Sequence, residues 1–298
     1  MTTDRVGGFA DDAHPSPHDR GSSRVHRSFV DLADGQIHVV TAGAPEATPV
    51  LLLHQTPRSW REFDAVIPLL AGRFRPIAVD TLGFGDSDRP TGRVSIERWA
   101  GVVADVMDHL GIERVHVVGH HTGGVIAVEL AAQRPDLVAR LVLSSTPYTH
   151  AEFRRERAER PPIDEVRFSD DGAHLAALWN QRAGFYPADR PDLLQAFVID
   201  ALKVFDDVEG GHTAVATYRM EDRIRLVASP TLVVRATEDP FAFGHGIELR
   251  DALVGAASVD MVDIAGGMVP LPDQLPEEFA GAVMSFLDGH DLDDGSSV

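Results

Sequence analysis

The stretch V-H-V-V-G-H-H-T-G-G-V-I-A-V-E-L-A-A, residues 115–132, decides the fold of this chain. The β-branched run at 115–118 predicts a strand, and the helical period that resumes at Gly123 predicts a helix with no loop between the two. A strand that turns directly into a helix forces its tip residue into a strained backbone conformation. It also requires small residues two positions before and two positions after the tip. Gly119 and Gly123 meet that requirement, so the tip is His121.

Strands and helices alternate on both sides of this turn. The alternation predicts a parallel sheet with right-handed crossovers, and a D-G turn at Asp34 and Gly35 predicts an antiparallel hairpin near the start. No strand is predicted over about 149–227, where helical segments follow one another. The further predicted strands are at about 28–32, 37–41, 49–54, 75–80, 138–145, 231–235 and 258–264. The further predicted helices are at about 60–70, 96–110, 151–157, 172–183, 191–205, 211–223, 247–253 and 276–287.

The turn and the order of elements resemble the α/β-hydrolase superfamily, whose nucleophile elbow G-x-S-x-G raises a serine above the sheet. Here the match reads G-H-H-T-G, which keeps the glycines and puts His121 where the serine stands. The resemblance covers about residues 28–289. It implies an α/β fold with a mostly parallel eight-stranded sheet, flanking helices and an inserted helical cap.

The expected domain organisation follows from this resemblance and from composition. The hydrolase-like core is expected at 27–147 and 229–289, and the helical cap at 148–228. Residues 1–26 are polar and without periodicity, which predicts a disordered tail, and 290–298 form a second polar tail.

Two of the three triad positions depart from the superfamily pattern. An acid follows the seventh strand of these proteins and a histidine follows the eighth. The stretch T-L-V-V-R-A-T-E-D-P-F puts Asp239 at the acid position, with Glu238 as a weaker candidate, whereas A-G-G-M-V-P puts Met268 at the histidine position. A serine needs a neighbouring base, but an imidazole with an ordinary pKa of ~6.5 does not. We therefore predict His121 as base or nucleophile, oriented by Asp239 directly or through water.

The resemblance also implies an oxyanion site built from backbone N–H groups. One is that of Thr122 at the helix start, and the other belongs to Gln55 or Thr56 in the loop H-Q-T-P. The side chain of Gln55 either points at substrate or pins this loop, and the sequence leaves both open.

Side chains near the elbow and in the cap are candidates for substrate contact, since ligand pockets are mostly apolar with few polar groups. His54 and His120 stand at positions that are often histidine in this superfamily, which favours structural roles for both. Each aromatic residue of the cap, taken alone, is more typical of a side chain that packs in the hydrophobic core of the cap than of one that contacts substrate. The candidates are His54, Arg58, Trp60, Tyr148, His150, Trp179, Tyr186 and Met268, with Phe185 and Phe205 as further cap aromatics.

No metal and no organic cofactor are expected. The imidazoles of His54, His120 and His121 with Asp239 would suit zinc. Consecutive side chains at an extended strand end point opposite ways, however, which argues against shared ligation by His120 and His121. The G-F-G in D-T-L-G-F-G-D-S-D-R-P lacks a third glycine and a following helix start, so dinucleotide binding is not predicted.

Composition limits the partners. The 298 residues carry a formal charge of −19 at pH 7, with Lys203 as the only lysine and no cysteine. Such acidity disfavours nucleic acid and anionic membranes as partners. The apolar runs are too short to span a bilayer, and the first residues lack the apolar core of a secretory signal. We expect a cytoplasmic protein that acts on a small molecule, with its oligomeric state left open.

Three functions fit these residues. The first is an enzyme that uses His121 on a small carbonyl compound, for ester or lactone hydrolysis, carbon–carbon or carbon–oxygen cleavage, elimination or cyclisation. The second is a non-catalytic protein that binds a small ligand under the cap. A dehalogenase or epoxide-hydrolase reaction is disfavoured, because the resemblance implies an aspartate at the elbow of those families and none stands here.

Overall fold

The structure is a computed structural model that describes residues 24–289. The predicted tails therefore lie outside the described residues, except for 24–26, of which His26 opens the first strand. The strands are β1 (His26–Leu32), β2 (Gly35–Thr41), β3 (Pro49–Leu53), β4 (Arg75–Val79), β5 (Val115–His120), β6 (Val138–Ser144), β7 (Thr231–Ala236) and β8 (Val259–Ile264).

The strands form a single sheet in the order β1-β2-β4-β3-β5-β6-β7-β8. The pairs β1–β2 and β2–β4 are antiparallel, and all the other neighbours are parallel. This confirms the predicted, mostly parallel eight-stranded sheet. Because the carboxyl ends of the parallel strands meet at one edge, the loops that follow β3, β5 and β7 are neighbours there.

Helices cover both faces of the sheet. Along β3, Leu51 and Leu53 pack into one hydrophobic cluster with α2 (Ile96–His109) and α3 (Thr122–Gln133). Val50 and Leu52 pack into a second cluster with α1 (Val66–Ala71) and α11 (Pro276–Leu287). A strand buried on both faces shows this alternation. The helices are α1 (Val66–Ala71), α2 (Ile96–His109), α3 (Thr122–Gln133), α4 (Ala151–Ala158), α5 (Ala173–Arg182), α6 (Pro191–Lys203), α7 (Gly210–Thr217), α8 (Met220–Arg223), α9 (His245–Ala252), α10 (Leu271–Gln274) and α11 (Pro276–Leu287).

Five helices, α4 to α8, are inserted between β6 and β7 and form the cap. Glu129 of α3 connects the cap to the core, because its buried carboxylate accepts hydrogen bonds from the Tyr218 hydroxyl (2.6 Å) and from Arg223 Nε (2.8 Å). Within residues 24–289, no helix is both long and apolar enough to cross a bilayer.

Two predicted helices are divided in the structure. The segment predicted at 60–70 is a single 3₁₀ turn, Trp60–Phe63, followed by α1. The segment predicted at 211–223 is interrupted between α7 and α8, where Tyr218 has an extended backbone. That conformation ends α7 at the residue whose hydroxyl binds Glu129 in the core. Tertiary contacts thus override the helical pattern at this point.

Candidate active site

The elbow is the strained turn between β5 and α3. His121 has φ 48° and ψ −114°, and α3 begins at the next residue, Thr122. A Cβ on Gly123 would lie 1.9 Å from the carbonyl oxygen of Leu53, and one on Gly119 would lie 2.3 Å from the carbonyl oxygen of Gly123. No side chain fits at such distances, so the two glycines allow the close packing that holds the tip in its strained conformation.

The structure brings His121 and Asp239 together. His121 Nε2 lies 2.7 Å from Asp239 Oδ2, close enough for an ion pair when the imidazole is protonated. The contact falls outside the angular range of a hydrogen bond, and neither atom has another hydrogen-bond partner within residues 24–289. Nε2 is buried, which leaves Nδ1 as the nitrogen of His121 that is open to the cavity beside it.

Asp239 is almost completely buried in the loop after β7, with 1% of its surface exposed. Burial works to raise the pKa of Asp239, but the charge of His121 and the backbone N–H of Phe241 outweigh burial, and the pKa lies below its ordinary value. The Phe241 N–H donates to Asp239 Oδ1 at 2.9 Å. The carboxylate is therefore ionised and held in place behind the elbow.

The loop after β3 faces the start of α3. The backbone N–H of Gln55 donates to Glu62 Oε2 at 2.8 Å, and its side-chain amide donates to Glu62 Oε1. Gln55 thus pins the loop, and its N–H is already engaged, so we correct the expectation that this N–H serves the oxyanion. The hydroxyls of Thr56 and Thr122 lie 3.0 Å apart, and the N–H of Thr122, at the first position of α3, has no intrahelical acceptor.

Arg58 lies in a buried ion cluster rather than at the cavity. Its side chain is fully buried, Nε donates to Asp200 Oδ2 at 3.0 Å, and Nη2 donates to Asp273 Oδ2 at 2.9 Å. Glu62 adds a third carboxylate, 3.9 Å away. Burial raises the pKa of Asp273 to about 7, with Glu62 adding to the effect and Arg58 opposing it. The cluster joins the loop after β3 to cap helix α6 and to α10, and we correct the expectation that Arg58 contacts substrate.

His54 is a core histidine. It is fully buried, its Nδ1–H donates to the carbonyl of Gln55 at 2.7 Å, and its Nε2 accepts the N–H of Thr81 at 3.0 Å. Both ring nitrogens are therefore engaged by the backbone. The expectation that His54 contacts substrate is corrected accordingly.

His120 is also engaged on both nitrogens, but it lies beside the tip residue. Nε2–H donates to the carbonyl of Val269 at 2.9 Å, and Nδ1 lies 3.0 Å from the hydroxyl of Ser144. Burial lowers the pKa of His120 to about 4, so the ring is neutral near pH 7. The expectation that His120 and His121 point opposite ways is wrong: their ring centroids are 4.7 Å apart, because the chain leaves the strand conformation at the tip.

A cavity of about 630 Å³ lies between the elbow and the cap. The predicted site residues that line it are Gln55, Thr56, His121, Thr122, His150 and Phe185. Much of its remaining wall is apolar, and the apolar lining includes Pro147, Phe153, Phe185, Val215, Phe241 and Val269.

The other predicted substrate contacts lie away from this lining. Trp60 and Tyr186 are buried in the hydrophobic clusters, and Tyr148 and Trp179 pack against the same core while partly exposed. Met268 is partly buried and does not line the cavity. These aromatic rings hold the cap and core together, so we correct the expectation that they bind substrate.

Sequence reasoning missed several residues of the cavity wall. Phe241 is two positions after Asp239, and that proximity was an available signal. Phe153, Arg182 and His212 come from α4, α5 and α7, whose orientation over the sheet is fixed by packing rather than by any local motif. The sequence alone therefore does not predict that these three side chains line the cavity.

Within residues 24–289, three groups of side chains are close enough to share a metal ion, and neither His120 nor His121 belongs to any of them. In one group His150 Nδ1 accepts the N–H of Glu152 at 3.1 Å, which puts its proton on Nε2, the atom nearest to Glu248. A protonated nitrogen cannot ligate a metal. The groups are His150, His245 and Glu248; His38, Asp80 and Asp86; and Asp164, Glu209 and His212.

A mostly parallel sheet with a strained strand-to-helix tip, an acid after β7 and an inserted helical cap defines the α/β-hydrolase architecture. The chain belongs to the alpha/beta hydrolase fold family, whose profile matches residues 48–262.

Parts of the chain are similar to known enzymes. One segment is 42% identical over 108 residues to a soluble epoxide hydrolase of Corynebacterium sp. strain C12, covering 36% of this chain and 37% of that protein. A segment is 38% identical over 119 residues to haloalkane dehalogenase 2 of Mycobacterium tuberculosis H37Rv, covering 40% and 41%. The matched segments thus span less than half the length of these curated relatives.

The whole fold is similar to solved structures. The enol-lactonase from Burkholderia xenovorans LB400 superposes with a TM-score of 0.72 over 88% of this chain and 100% of that chain, at 22% identity. A hydrolase from Pseudomonas aeruginosa PA01 superposes with the same score and identity over 88% and 98%. At this identity the likeness shows the fold alone.

Proposed function

We propose that this chain is an enzyme that cleaves a small, largely apolar carbonyl compound such as an ester or lactone, with His121 in place of a serine. The observation that carries this proposal is the 2.7 Å contact between His121 Nε2 and Asp239 Oδ2. A carboxylate beside Nε2 favours the tautomer protonated there and leaves a lone pair on Nδ1. Nδ1 is then the atom that acts on a molecule in the cavity.

For an ester, His121 acts as a general base. Nδ1 takes a proton from water as the water oxygen adds to the carbonyl carbon, and the imidazolium that forms is stabilised by the Asp239 carboxylate. The negative charge that develops on the carbonyl oxygen is met by the free N–H of Thr122 at the start of α3. The same base also suits those carbon–carbon cleavages, eliminations and cyclisations that begin with removal of a proton.

His121 is also placed to act as a nucleophile. Nδ1 would then add to the carbonyl carbon, and the bond to the leaving oxygen would break with its electron pair going to that oxygen. Water would hydrolyse the acyl-imidazole that remains and release the acid. Mass spectrometry of a quenched reaction distinguishes the two roles, since only the nucleophile leaves an acyl group on His121.

The substrate class is supported by the size and lining of the cavity. A volume of about 630 Å³ suits a small molecule, and the aromatic and proline side chains of its wall favour an apolar body. We place epoxide opening and halide displacement, suggested by the names of the partial relatives, behind carbonyl chemistry. Attack of His121 on an alkyl carbon would leave an alkylated imidazole, which water does not hydrolyse as it does an ester.

Non-catalytic binding of a small ligand is a second candidate. An elbow without serine, together with Met268 at the position of the superfamily histidine, favours that reading. Two measurements separate the candidates. We expect no labelling by a covalent serine-hydrolase probe, and we expect turnover of p-nitrophenyl acetate that is lost in His121→Ala. Turnover equal in wild type and His121→Ala, with both chains folded by circular dichroism, would refute catalysis by His121 and favour the binding candidate for the elbow.

A further inference from the structure

The cap carries a second imidazole–carboxylate pair. His212 on α7 has its Nε2 2.7 Å from Oδ2 of Asp164, and this contact has hydrogen-bond geometry. Asp164 is fully buried. Arg182 Nη2 also lies near His212 Nε2, but at 3.4 Å it is further away than the carboxylate. The shorter contact with Asp164 favours the tautomer that carries its proton on Nε2 and orients the His212 ring.

Arg182 keeps this carboxylate ionised. Its Nε and Nη2 both donate to Asp164, one to each oxygen, and its side chain is 6% exposed. Burial alone would raise the pKa of Asp164, but the hydrogen bond from His212 and the charge of Arg182 hold that pKa well below its ordinary value. The arginine also excludes a metal ion, because both oxygens of Asp164 are already occupied by a cation.

His212 faces the same cavity as His121. Both side chains line it, one from the cap and the other from the elbow. The neighbour of His212, Gly211, packs so closely on Thr56 that an added Cβ would lie 2.2 Å from the Thr56 hydroxyl oxygen. Within residues 24–289, His212 Nδ1 has no hydrogen-bond partner, and it is not sealed from the cavity or solvent.

We propose that His212 is a second catalytic residue of this site, a general acid that delivers a proton from the cap to the leaving oxygen of the substrate. The inference rests on the proposed carbonyl chemistry of His121. Two imidazoles, each beside a buried carboxylate, then line one cavity, one from the elbow and the other from the cap. Attack from the elbow side leaves the departing oxygen free to point toward the cap, which carries His212.

The proton and electron balance of the step is complete for an ester and water. His121 takes one proton from water, and the resulting C–O bond gives a tetrahedral adduct. When the bond to the leaving oxygen breaks, its electron pair goes to that oxygen, which takes the proton from His212 Nδ1. The products are a carboxylic acid and an alcohol or phenol. His121 then loses a proton to solvent and His212 regains one, so both rings return to their starting states.

The test compares leaving groups. A p-nitrophenolate is a weak base that departs without a proton, whereas a phenolate is a stronger base that benefits from one. In His212→Gln the amide nitrogen still donates to Asp164, so the cap keeps its buried contact while the ionisable Nδ1 is removed. We expect kcat/KM for phenyl acetate to fall about 100-fold, and that for p-nitrophenyl acetate to fall less than about tenfold.

His174→Gln is the matched control. His174 is also a cap histidine, on α5, but it lies outside the cavity, where its Nδ1 accepts the N–H of Ser169 at 3.3 Å. This variant should turn over both esters at the wild-type rate. Asp164→Asn, which removes the positioning carboxylate, should reproduce the leaving-group selectivity of His212→Gln.

The outcomes separate this inference from the proposed function. Equal losses on the two esters in His212→Gln, or none, overturn the role of His212 even where His121→Ala is inactive. Loss of activity in His212→Gln together with full activity in His121→Ala refutes the proposed function and leaves the cap histidine as the proton-transfer group. A wild-type chain that turns over neither ester overturns both.

Discussion

Replacing Asp239 by asparagine tests whether the carboxylate works through the imidazole. At 2.7 Å, two unit charges attract by about 6 kcal/mol at an effective dielectric constant of about 20, which is an upper bound. Removal of the orienting acid from a serine–histidine–aspartate triad costs about 10⁴ in kcat. Since His121 is strained and partly exposed, we expect a smaller loss in Asp239→Asn, about 10³-fold in kcat, or about 4 kcal/mol.

The assay is the pH–rate profile of p-nitrophenyl acetate hydrolysis. An asparagine at 239 can still accept the N–H of Phe241, so the loop should stay folded. The control is Asp263→Asn on β8, which removes the ion pair between the exposed Asp263 and the mostly buried Arg235, away from the cavity, and should leave kcat unchanged. Because Asp239 acts only through His121, the double variant with His121→Ala should be no slower than His121→Ala alone. A kcat for Asp239→Asn within tenfold of wild type would refute this reasoning.

Three further predictions concern stability. Gly123→Ala should lower the free energy of unfolding by about 3 kcal/mol or more in urea titration, because its Cβ would lie 1.9 Å from the Leu53 carbonyl oxygen. The control is Gly101→Ala in α2, where an added Cβ meets no other atom, and this variant should raise the free energy of unfolding by about 0.5–1 kcal/mol. Arg58→Met should cost about 3–5 kcal/mol in the same titration because it leaves buried carboxylates unpaired, and a cost below 1 kcal/mol would contradict the cluster. Asp273 has a folded pKa of about 7, above its unfolded value, so the contribution of Asp273 to wild-type stability falls as pH rises from about 4 to 7. Asp273→Asn should gain stability over wild type across that range, by up to about 4 kcal/mol. A difference in melting temperature that does not change with pH would contradict the raised pKa of Asp273.

The elbow and its acid were predictable because local rules determine both. The spacing of Gly119 and Gly123 identifies the tip, and the position of Asp239 just past a buried strand identifies its partner. Chain order alone brings the loops after β5 and β7 to one edge of a parallel sheet.

The role of Arg58 was not predictable, because its partners are remote. Asp200 and Asp273 lie 142 and 215 residues further along the chain, and no local pattern joins them to a loop after β3. For the same reason, the cap residues that line the cavity could not be predicted from the sequence. The packing of the cap helices, rather than sequence spacing, determines that His212 lines the cavity and that Tyr148 and Trp179 do not. The rule of alternating side chains failed at His120 because it holds for strands and not for the turn that ends them.

The positive φ of His121 lowers the stability of the fold. A non-glycine residue held at such angles costs about 1–3 kcal/mol, whereas glycine adopts them freely. Glycine at position 121 would relieve this strain but would also remove the imidazole. The strain at His121 is therefore a cost in stability that the proposed function of the imidazole would account for.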